Sequence, residues 1–255
     1  MADLIVDEVM LREPNLLVPG KKPVGSVKID WTHSLTRGLV GAWVLSDWSQ
    51  LTDLTGNNNG SETGTGSAIT VGHDIHGKYL RNNNTSSTRR IDLGSIPSTN
   101  PLSCNVNNET SVYVFSYINV SASNSFPRWI DKSSGGSAAN GWAFYIDNGA
   151  PATTLSIGGI NFVKGTVSSS GLFGAGVSAS SGDPRFFIDG LLVSTDNRSF
   201  TLPTTTTNAA LLNWNHSTDR EYEDPVYCIY VWDRKISDIE QLSIHRDMYQ
   251  FLIPA

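Results

Sequence analysis

Short runs in which apolar and polar residues alternate recur along most of this chain and predict β-strands. In the longest run, residues 110–120, Tyr113, Phe115 and Tyr117 share one face, while valine and isoleucine side chains share the other. This period is typical of a β-strand, whose successive side chains point to opposite faces. Further runs, separated by turns rich in glycine, serine and asparagine, predict more strands. These runs are residues 39–45, 79–80, 90–93, 126–131, 142–147, 154–157, 172–177, 209–214 and 226–232.

The clearest turn in the sequence is Asp189-Gly190, which separates the apolar runs RFFI and LLVST. A two-residue turn of this kind needs a positive φ at both central residues, which glycine adopts freely and aspartate tolerates. The sequence therefore predicts a β-hairpin over residues 185–195. Many short strands with turns between them are typical of a two-sheet antiparallel sandwich, so the predicted fold class is all-β.

The beginning of the chain differs from this pattern. Residues 1–34 predict an extended arm, because Pro14, Pro19 and Pro23 fix φ and remove amide donors. The arm is too apolar for an inert linker, and we expect it either to wrap around its own sandwich or to dock on a neighbouring chain. Its apolar anchor residues are Leu16, Leu17, Val18, Val24 and Val27.

The end of the chain predicts one helix. Ser237 is a good N-cap and Glu240 follows three residues later, which is the capping-box pattern. An apolar stripe continues for about three turns, and Pro254 marks the end. Residues 35–255 are therefore predicted to form one sandwich domain with a short C-terminal helix.

Composition and charge exclude several functional classes. The net charge is -6 and the pI is near 5.3, whereas a nucleic-acid-binding domain usually carries a basic face. The N-terminal residues are acidic, unlike a secretory signal, and no apolar run approaches the roughly 18 residues of a membrane span. Cys104 and Cys228 lack the spacing of a zinc site or a disulfide framework. We therefore expect no nucleic acid, no membrane, no signal peptide, and synthesis in the cytoplasm.

Three segments resemble a known family. The opening strand and turn of laminin-G-like, concanavalin-A-like domains are similar to LVGAWVL and the following DLTGNNNG. The central hairpin of those domains is similar to RFFIDGLLVST, and their closing strand and helix are similar to VYCIYVWDRKISDIEQLSIHRD. The resemblance covers residues 35–251. It implies a jelly-roll β-sandwich.

A second resemblance concerns the arm, where REPNLLVPGKKPVG is similar to leader segments in virion proteins of tailed bacteriophages. It implies a non-enzymatic structural protein of the virion, and first of all a capsid decoration (cement) protein made in the host cytoplasm. In that role the arm would dock on the major capsid protein or on a sister subunit. The protein would then be a homo-oligomer.

Carbohydrate binding is the alternative function that the fold family implies, for example recognition of a host surface glycan by a phage tail. Sugars stack on exposed aromatic faces, and amide groups bind their hydroxyls. Trp129, Trp142 and Trp214 lie near predicted loops, and Asn213 precedes the last of them. These four are the candidate glycan-binding residues, although tryptophan also fills the core between two sheets.

Catalysis has little support in the sequence. A glycoside hydrolase needs two carboxyl groups that face the scissile bond. Here Glu221 and Glu223 alternate at a strand entrance, but the E-x-D-x-x-E pattern of hydrolases with this fold is missing. We therefore expect a protein that is not an enzyme and that needs no cofactor.

Calcium is the one ion that the residues would suit. Asp53 and Asn57 offer oxygen ligands within one turn, and Glu223 and Asp224 offer more. The asparagine-rich turn also has an explanation without metal, because asparagine tolerates left-handed φ. We favour that structural explanation and keep calcium as the alternative.

Overall fold

The computed structural model describes residues 22–23, 25–46, 51–66, 68–82, 88–120, 126–134, 138–147, 151–214 and 220–255. These residues form antiparallel strands and one α-helix, α1, at Asp238–Arg246. The strands are β1 Val27–Ile29, β2 Leu39–Val44, β3 Ser61–Thr63, β4 Ile69–Asp74, β5 Gly77–Asn82, β6 Arg90–Ile96, β7 Glu109–Ile118, β8 Arg128–Lys132, β9 Trp142–Asp147, β10 Ala152–Ile157, β11 Ile160–Thr166, β12 Gly171–Ser180, β13 Asp183–Ile188, β14 Leu191–Thr195, β15 Thr207–Leu211, β16 Val226–Trp232 and β17 Leu252–Pro254.

Two sheets face each other as a sandwich. The seven-stranded sheet has the order β11-β10-β9-β8-β15-β6-β3. The eight-stranded sheet has the order β14-β13-β12-β7-β16-β5-β4, and β2 also pairs with β16. Its longest ladder, β12 with β7, is antiparallel over its whole length. The predicted all-β sandwich class is confirmed.

Strand alternation explains how each sheet builds the core. Ile130 lies opposite Phe144 and Leu211 on neighbouring strands, and all three side chains belong to one buried cluster between the sheets. Val112 and Val114 of β7 enter the same cluster from the eight-stranded sheet, on the face that the alternation of this strand predicts.

The other face of the eight-stranded sheet is also buried. Tyr113, Tyr230 and Trp232 form a second cluster there with Ile244 of α1 and Phe251. Side chains of β1, β17 and α1 pack against this cluster, so these three elements cover the outer face of the sheet. The eight-stranded sheet therefore has packing on both sides, which explains why the run of β16 is apolar without alternation.

The predicted capping box starts α1. The Ser237 side chain accepts a hydrogen bond from the Glu240 backbone N–H at 3.3 Å, and Ser237 N–H donates to Glu240 Oε2 at 2.7 Å. Together these bonds satisfy backbone groups that a helix start leaves without partners. No helix in the described part of the chain is long and apolar enough to cross a membrane.

The predicted hairpin is confirmed and several strands are additional. Asp189 and Gly190 join β13 to β14 with φ values of 52° and 73°. Each predicted run overlaps a strand, but β1, β3, β4, β11 and β17 were not predicted, because most are short or polar. Gly158 and Gly159, also at positive φ, join β10 to β11, so a second two-residue hairpin turn was present in the sequence.

The described end of the predicted arm lies on its own sandwich. β1, which contains Val27, pairs with β17, and Val27 packs against the cluster beneath α1. At Val27–Ile29 the chain therefore wraps its own sandwich, which is one of the two predicted alternatives for the arm. The other predicted anchors lie outside the described residues, so docking on another chain stays a prediction. These anchors are Leu16, Leu17, Val18 and Val24.

Lys22 fixes the chain before β1 to the sandwich. Its side chain is buried, and Nζ donates to the carbonyl oxygens of Leu45 at 3.0 Å, Lys78 at 2.5 Å and Tyr227 at 2.8 Å. Three acceptors match the three donors of a protonated amine. Burial lowers the pKa of Lys22 to about 7. These bonds join β5, β16 and the residue that follows β2 to one side chain.

Replacing Lys22 with methionine should keep the apolar stem and remove all three hydrogen bonds. We expect the free energy of unfolding in urea to fall by about 1–3 kcal/mol, and limited proteolysis before β1 to become faster. Lys28→Met is the control, because Lys28 is exposed in β1 and should tolerate the change. Equal behaviour of the two variants would show that Lys22 does not anchor this segment.

Candidate functional site

A β-bulge in β8 brings two charged side chains onto the outer face of the seven-stranded sheet. The pairing of β8 with β9 shifts between Arg128 and Ile130, which makes Trp129 the extra residue. Trp129 and Ile130 both enter the core, while Arg128 and Asp131 lie on the outer face. Residues three apart in a regular strand point to opposite faces. The bulge therefore allows these two to meet.

Arg128 and Asp131 form a buried ion pair on this face. Both side chains are fully buried, Arg128 Nη1 donates to Asp131 Oδ2, and Ser133 Oγ donates to Asp131 Oδ1 at 2.7 Å. Arg128 Nε and Nη2 have no hydrogen-bond partner among the described residues. Burial lowers the pKa of Arg128 to about 9, so its guanidinium stays charged near neutral pH. Buried donors without acceptors cost free energy.

Aromatic rings surround this guanidinium. Arg128 Cζ lies 5.0 Å from the centroid of the Tyr145 ring and 5.1 Å from that of Trp214. Arg220 Cζ lies 4.5 Å from the Trp214 centroid and 5.1 Å from that of Phe126. Trp214, Arg220 and Phe126 are partly exposed and form a layer above the buried pair. The Arg128 cluster consists of Phe126, Arg128, Asp131, Tyr145, Trp214 and Arg220.

Short and polar side chains continue the outer face away from this cluster. Strand register aligns two rows across β8, β9 and β10. One row ends in Ser156 and the next in Thr154, whose Oγ1 is buried with no hydrogen-bond partner in the described structure. Hydroxyl and carboxylate groups thus replace the phenyl and leucyl groups of the inner face, and every residue of the two rows is buried. The rows are Asp131, Ala143 and Ser156, and Arg128, Tyr145 and Thr154.

Two of the predicted glycan-binding tryptophans are core residues. Trp129 is fully buried, with ring centroids 5.0 Å from Phe144 and 5.3 Å from Tyr222. Trp142 is also buried, and its Nε1 donates to the Leu102 carbonyl at 3.2 Å. Neither ring can stack against a sugar, because other side chains between the sheets cover both. Proximity to a loop was a poor guide to exposure here.

The other two predicted residues lie at the Arg128 cluster in different roles. Asn213 is buried, its Oδ1 accepts from Trp214 N at 2.6 Å, and its Nδ2 donates to the Arg89 carbonyl at 2.9 Å. These bonds hold the backbone, so Asn213 positions Trp214 and does not face a ligand as predicted. Trp214 is the one predicted residue that the structure places in the candidate site.

The Asp53 turn is structural. The Asp53 carboxylate is buried and accepts five hydrogen bonds, from Ala42 N, Thr55 N and Oγ1, and Asn58 N and Nδ2, at 2.7–3.1 Å. Asn57 is exposed, and its amide donates to Thr55 Oγ1. Calcium would have to displace these donors, so the calcium alternative is corrected at this turn. The predicted structural explanation holds.

The other predicted calcium ligands lie in an irregular segment before β16. Asp224 Oδ2 accepts from Asn119 N at 3.1 Å. Burial, together with the charge of Glu223, raises the pKa of Asp224 to about 6. Glu221 is fully buried. No group of three or more histidine, cysteine, aspartate or glutamate side chains in the described residues is arranged to hold a metal ion, and none unites Asp53, Glu223 and Asp224.

Sequence reasoning missed most of the Arg128 cluster. Arg128, Asp131 and Tyr145 lie within predicted strands, but regular alternation would place Arg128 and Asp131 on opposite faces. The available signal was the pair Arg128 and Asp131 in a predicted strand, with two bulky apolar residues between them. That pattern is typical of a bulge, because both Trp129 and Ile130 favour the core.

No family model matches this sequence, and no curated protein matches it. The fold is similar to domain 4 of an extracellular GH43 arabinanase from Geobacillus stearothermophilus, solved in complex with arabinotriose. The TM-score is 0.60 at 14% identity, over 81% of this chain and 98% of that chain. At this identity the similarity shows a shared fold.

Two further structures are similar over part of their length. The binding domain of botulinum neurotoxin DC, in complex with rat synaptotagmin II, has a TM-score of 0.58 at 14% identity, over 83% of this chain and 52% of that chain. Trypanosoma rangeli sialidase in complex with 2,3-difluorosialic acid has a TM-score of 0.57 at 10% identity, over 98% and 40%. The chain therefore spans about half or less of these two proteins.

Replacing Asp53 with asparagine should test the structural turn. The new NH₂ group would face donors where an acceptor now lies, so we expect the free energy of unfolding to fall by about 1–3 kcal/mol. Asn57→Ala, at the exposed position of the same turn, should have little effect. Addition of calcium chloride should leave the wild-type melting temperature unchanged. A calcium-dependent rise would restore the metal explanation.

Asp224 should make stability depend on pH. Because its pKa rises from 3.8 in the unfolded chain to about 6 in the folded one, the folded state binds more protons between these values. Its ionisation therefore costs stability as pH rises through this window. Asp224→Asn should be more stable than wild type near pH 7, and the difference should vanish below about pH 4.

Asp196 offers the opposite case for comparison. Hydrogen bonds from Arg198 lower the pKa of Asp196, so its ionised form contributes stability above the unfolded pKa. Asp196→Asn should thus lose stability near neutral pH, as measured by urea unfolding at several pH values. The same pH trend in both variants would contradict the assignment for Asp224.

Proposed function

We propose that this protein is a carbohydrate-binding module that holds a glycan at the Arg128 cluster. The observation that carries the proposal is the layer of Trp214 and Arg220 above a polar outer sheet face. A sugar ring presents C–H groups to an aromatic face and hydroxyl groups to polar side chains. The cluster offers both kinds of contact within one region.

The two sheets differ in a way that supports this location. The outer face of the eight-stranded sheet is covered by α1, β1 and β17 and filled with Tyr113, Tyr230 and Trp232. The outer face of the seven-stranded sheet carries the Arg128 ion pair and hydroxyl groups instead. Buried charge and unpaired polar atoms are costly in a protein interior, so their retention favours a binding role.

The structural neighbours agree with a carbohydrate ligand. The arabinanase domain was solved with arabinotriose and the sialidase with a sialic acid derivative. Another neighbour is a structure of botulinum neurotoxin type C, whose cell entry depends on interaction with two ganglioside molecules. Its TM-score is 0.59 at 15% identity. These ligands belong to those proteins, and the shared fold extends the class of ligand to this chain only as a proposal.

We assign no catalytic step to the module. Glu221 is buried and Glu223 is only partly so, and the segment that carries them is irregular rather than a strand. The pair predicted as a possible hydrolase set therefore lacks a common strand face from which both carboxyl groups could reach a glycosidic bond.

The virion role stays a prediction from the arm resemblance. Four of the five predicted anchor residues of the arm lie outside the described part of the chain. The fifth, Val27, contacts the chain's own sandwich. Capsid location, a homo-oligomer and docking on the major capsid protein all depend on that arm. Glycan binding depends on a different surface, so the two roles are compatible.

Replacing Trp214 with alanine should weaken glycan retention by about tenfold or more, because the stacking surface is lost. The measurement is binding of wild type and variant to a glycan array, followed by titration of the best ligand. Trp31→Ala is the matched control, because Trp31 is 58% exposed and lies outside the Arg128 cluster. Loss of binding in Trp31→Ala with retention in Trp214→Ala would place the site elsewhere.

A further inference from the structure

We propose that Arg128 Nε–H and Nη2–H donate to the two oxygens of a sugar carboxylate, so that the ligand is an acidic glycan such as a uronide or a sialoside. The inference rests on the proposed carbohydrate-binding function and adds the chemical class of the ligand. The observation behind it is the pair of buried Arg128 donors that lack partners in the described residues.

The geometry of the guanidinium selects this ligand group. Nε–H and one N–H of Nη2 lie on the same edge of the planar guanidinium group. These two N–H bonds are parallel, and their spacing fits the two oxygens of a carboxylate. Asp131 occupies Nη1 and so fixes the plane and leaves this edge unused. A neutral hydroxyl oxygen lacks the charge that strengthens these bonds, whereas a carboxylate gives each donor its own charged acceptor.

Local charge favours an anion at the same place. Arg128 and Arg220 both lie over the Trp214 ring, and the positive charge of Arg220 helps to lower the pKa of Arg128. Asp131 forms the ion pair with Arg128. Two guanidinium groups therefore lie beside the place where a ligand carboxylate would bind.

The ligand would approach from the partly exposed side of the cluster. Arg128, Tyr145 and Thr154 are buried, whereas Trp214, Arg220 and Phe126 are partly exposed. A carboxylate that reaches the Arg128 donors therefore has to displace part of this covering layer.

The first experiment uses the wild-type protein and matched ligands. Trigalacturonate and its methyl ester form one pair, and sialyllactose and its carboxyl methyl ester form another. In each pair the sugar skeleton is kept and the carboxylate charge is removed. Titration calorimetry should show at least one acidic probe binding about 10- to 100-fold more tightly than its uncharged partner, as expected for charge-assisted hydrogen bonds.

The second experiment removes the paired Nε–H and Nη2–H donors of Arg128. Arg128→Lys keeps the positive charge but removes the paired donors, so affinity for the acidic probe should fall by about 10-fold or more. Arg198→Lys is the matched control, because Arg198 also lies over an aromatic ring, Phe162, but Asp196 already occupies its Nε and Nη2. That variant should bind as wild type does.

The outcomes separate this inference from the function on which it rests. Equal affinity of wild type for charged and uncharged probes would overturn the acidic-ligand inference and leave carbohydrate binding intact. Failure of every acidic and neutral glycan on an array to bind would overturn both. Because the ligand pairs use wild-type protein, the result stands even if Arg128→Lys does not fold.

Discussion

The alternation of side chains along a strand is the constraint on which this structure depends. Each strand has two faces, and one of them must enter the core between the sheets. In the eight-stranded sheet the second face is also apolar, and a helix with two short strands covers it. In the seven-stranded sheet the second face is polar, and at Trp129 a single extra residue breaks the alternation. The candidate site lies where that break occurs.

Much of the fold could be predicted because its signals are local. The Asp189-Gly190 turn, the Ser237–Glu240 capping box and the alternation of β7 each depend on a few neighbouring residues, and the structure confirms all three. Strands such as Ser61–Thr63 contain no apolar residue. They form because the adjacent strand β6 offers backbone groups, and that cause is not visible in their own sequence.

The site was less predictable because exposure depends on packing across the sandwich. Trp129 and Trp214 are the same residue type near similar loops, yet one lies in the core and the other above the sheet. Asp53 illustrates the same limit, since four of its five donors come from Thr55 and Asn58 in its own turn and the fifth from Ala42 of β2, and only the fold shows that all five meet the carboxylate. The sequence alone could not distinguish a set of metal ligands from a buried carboxylate that holds a turn together by hydrogen bonds.

The pairing of β1 with β17 has a mechanical consequence. Val27 lies opposite Pro254, and Ala255 N–H donates to the Ser26 carbonyl, so the chain enters and leaves this ribbon at the same end. A tension applied between residues flanking the sandwich would load the hydrogen bonds of the ribbon one after another, because in an antiparallel pair these bonds lie across the strands. The hydrogen bonds between β1 and β17 would therefore break in sequence at a small force, before those of the two large sheets.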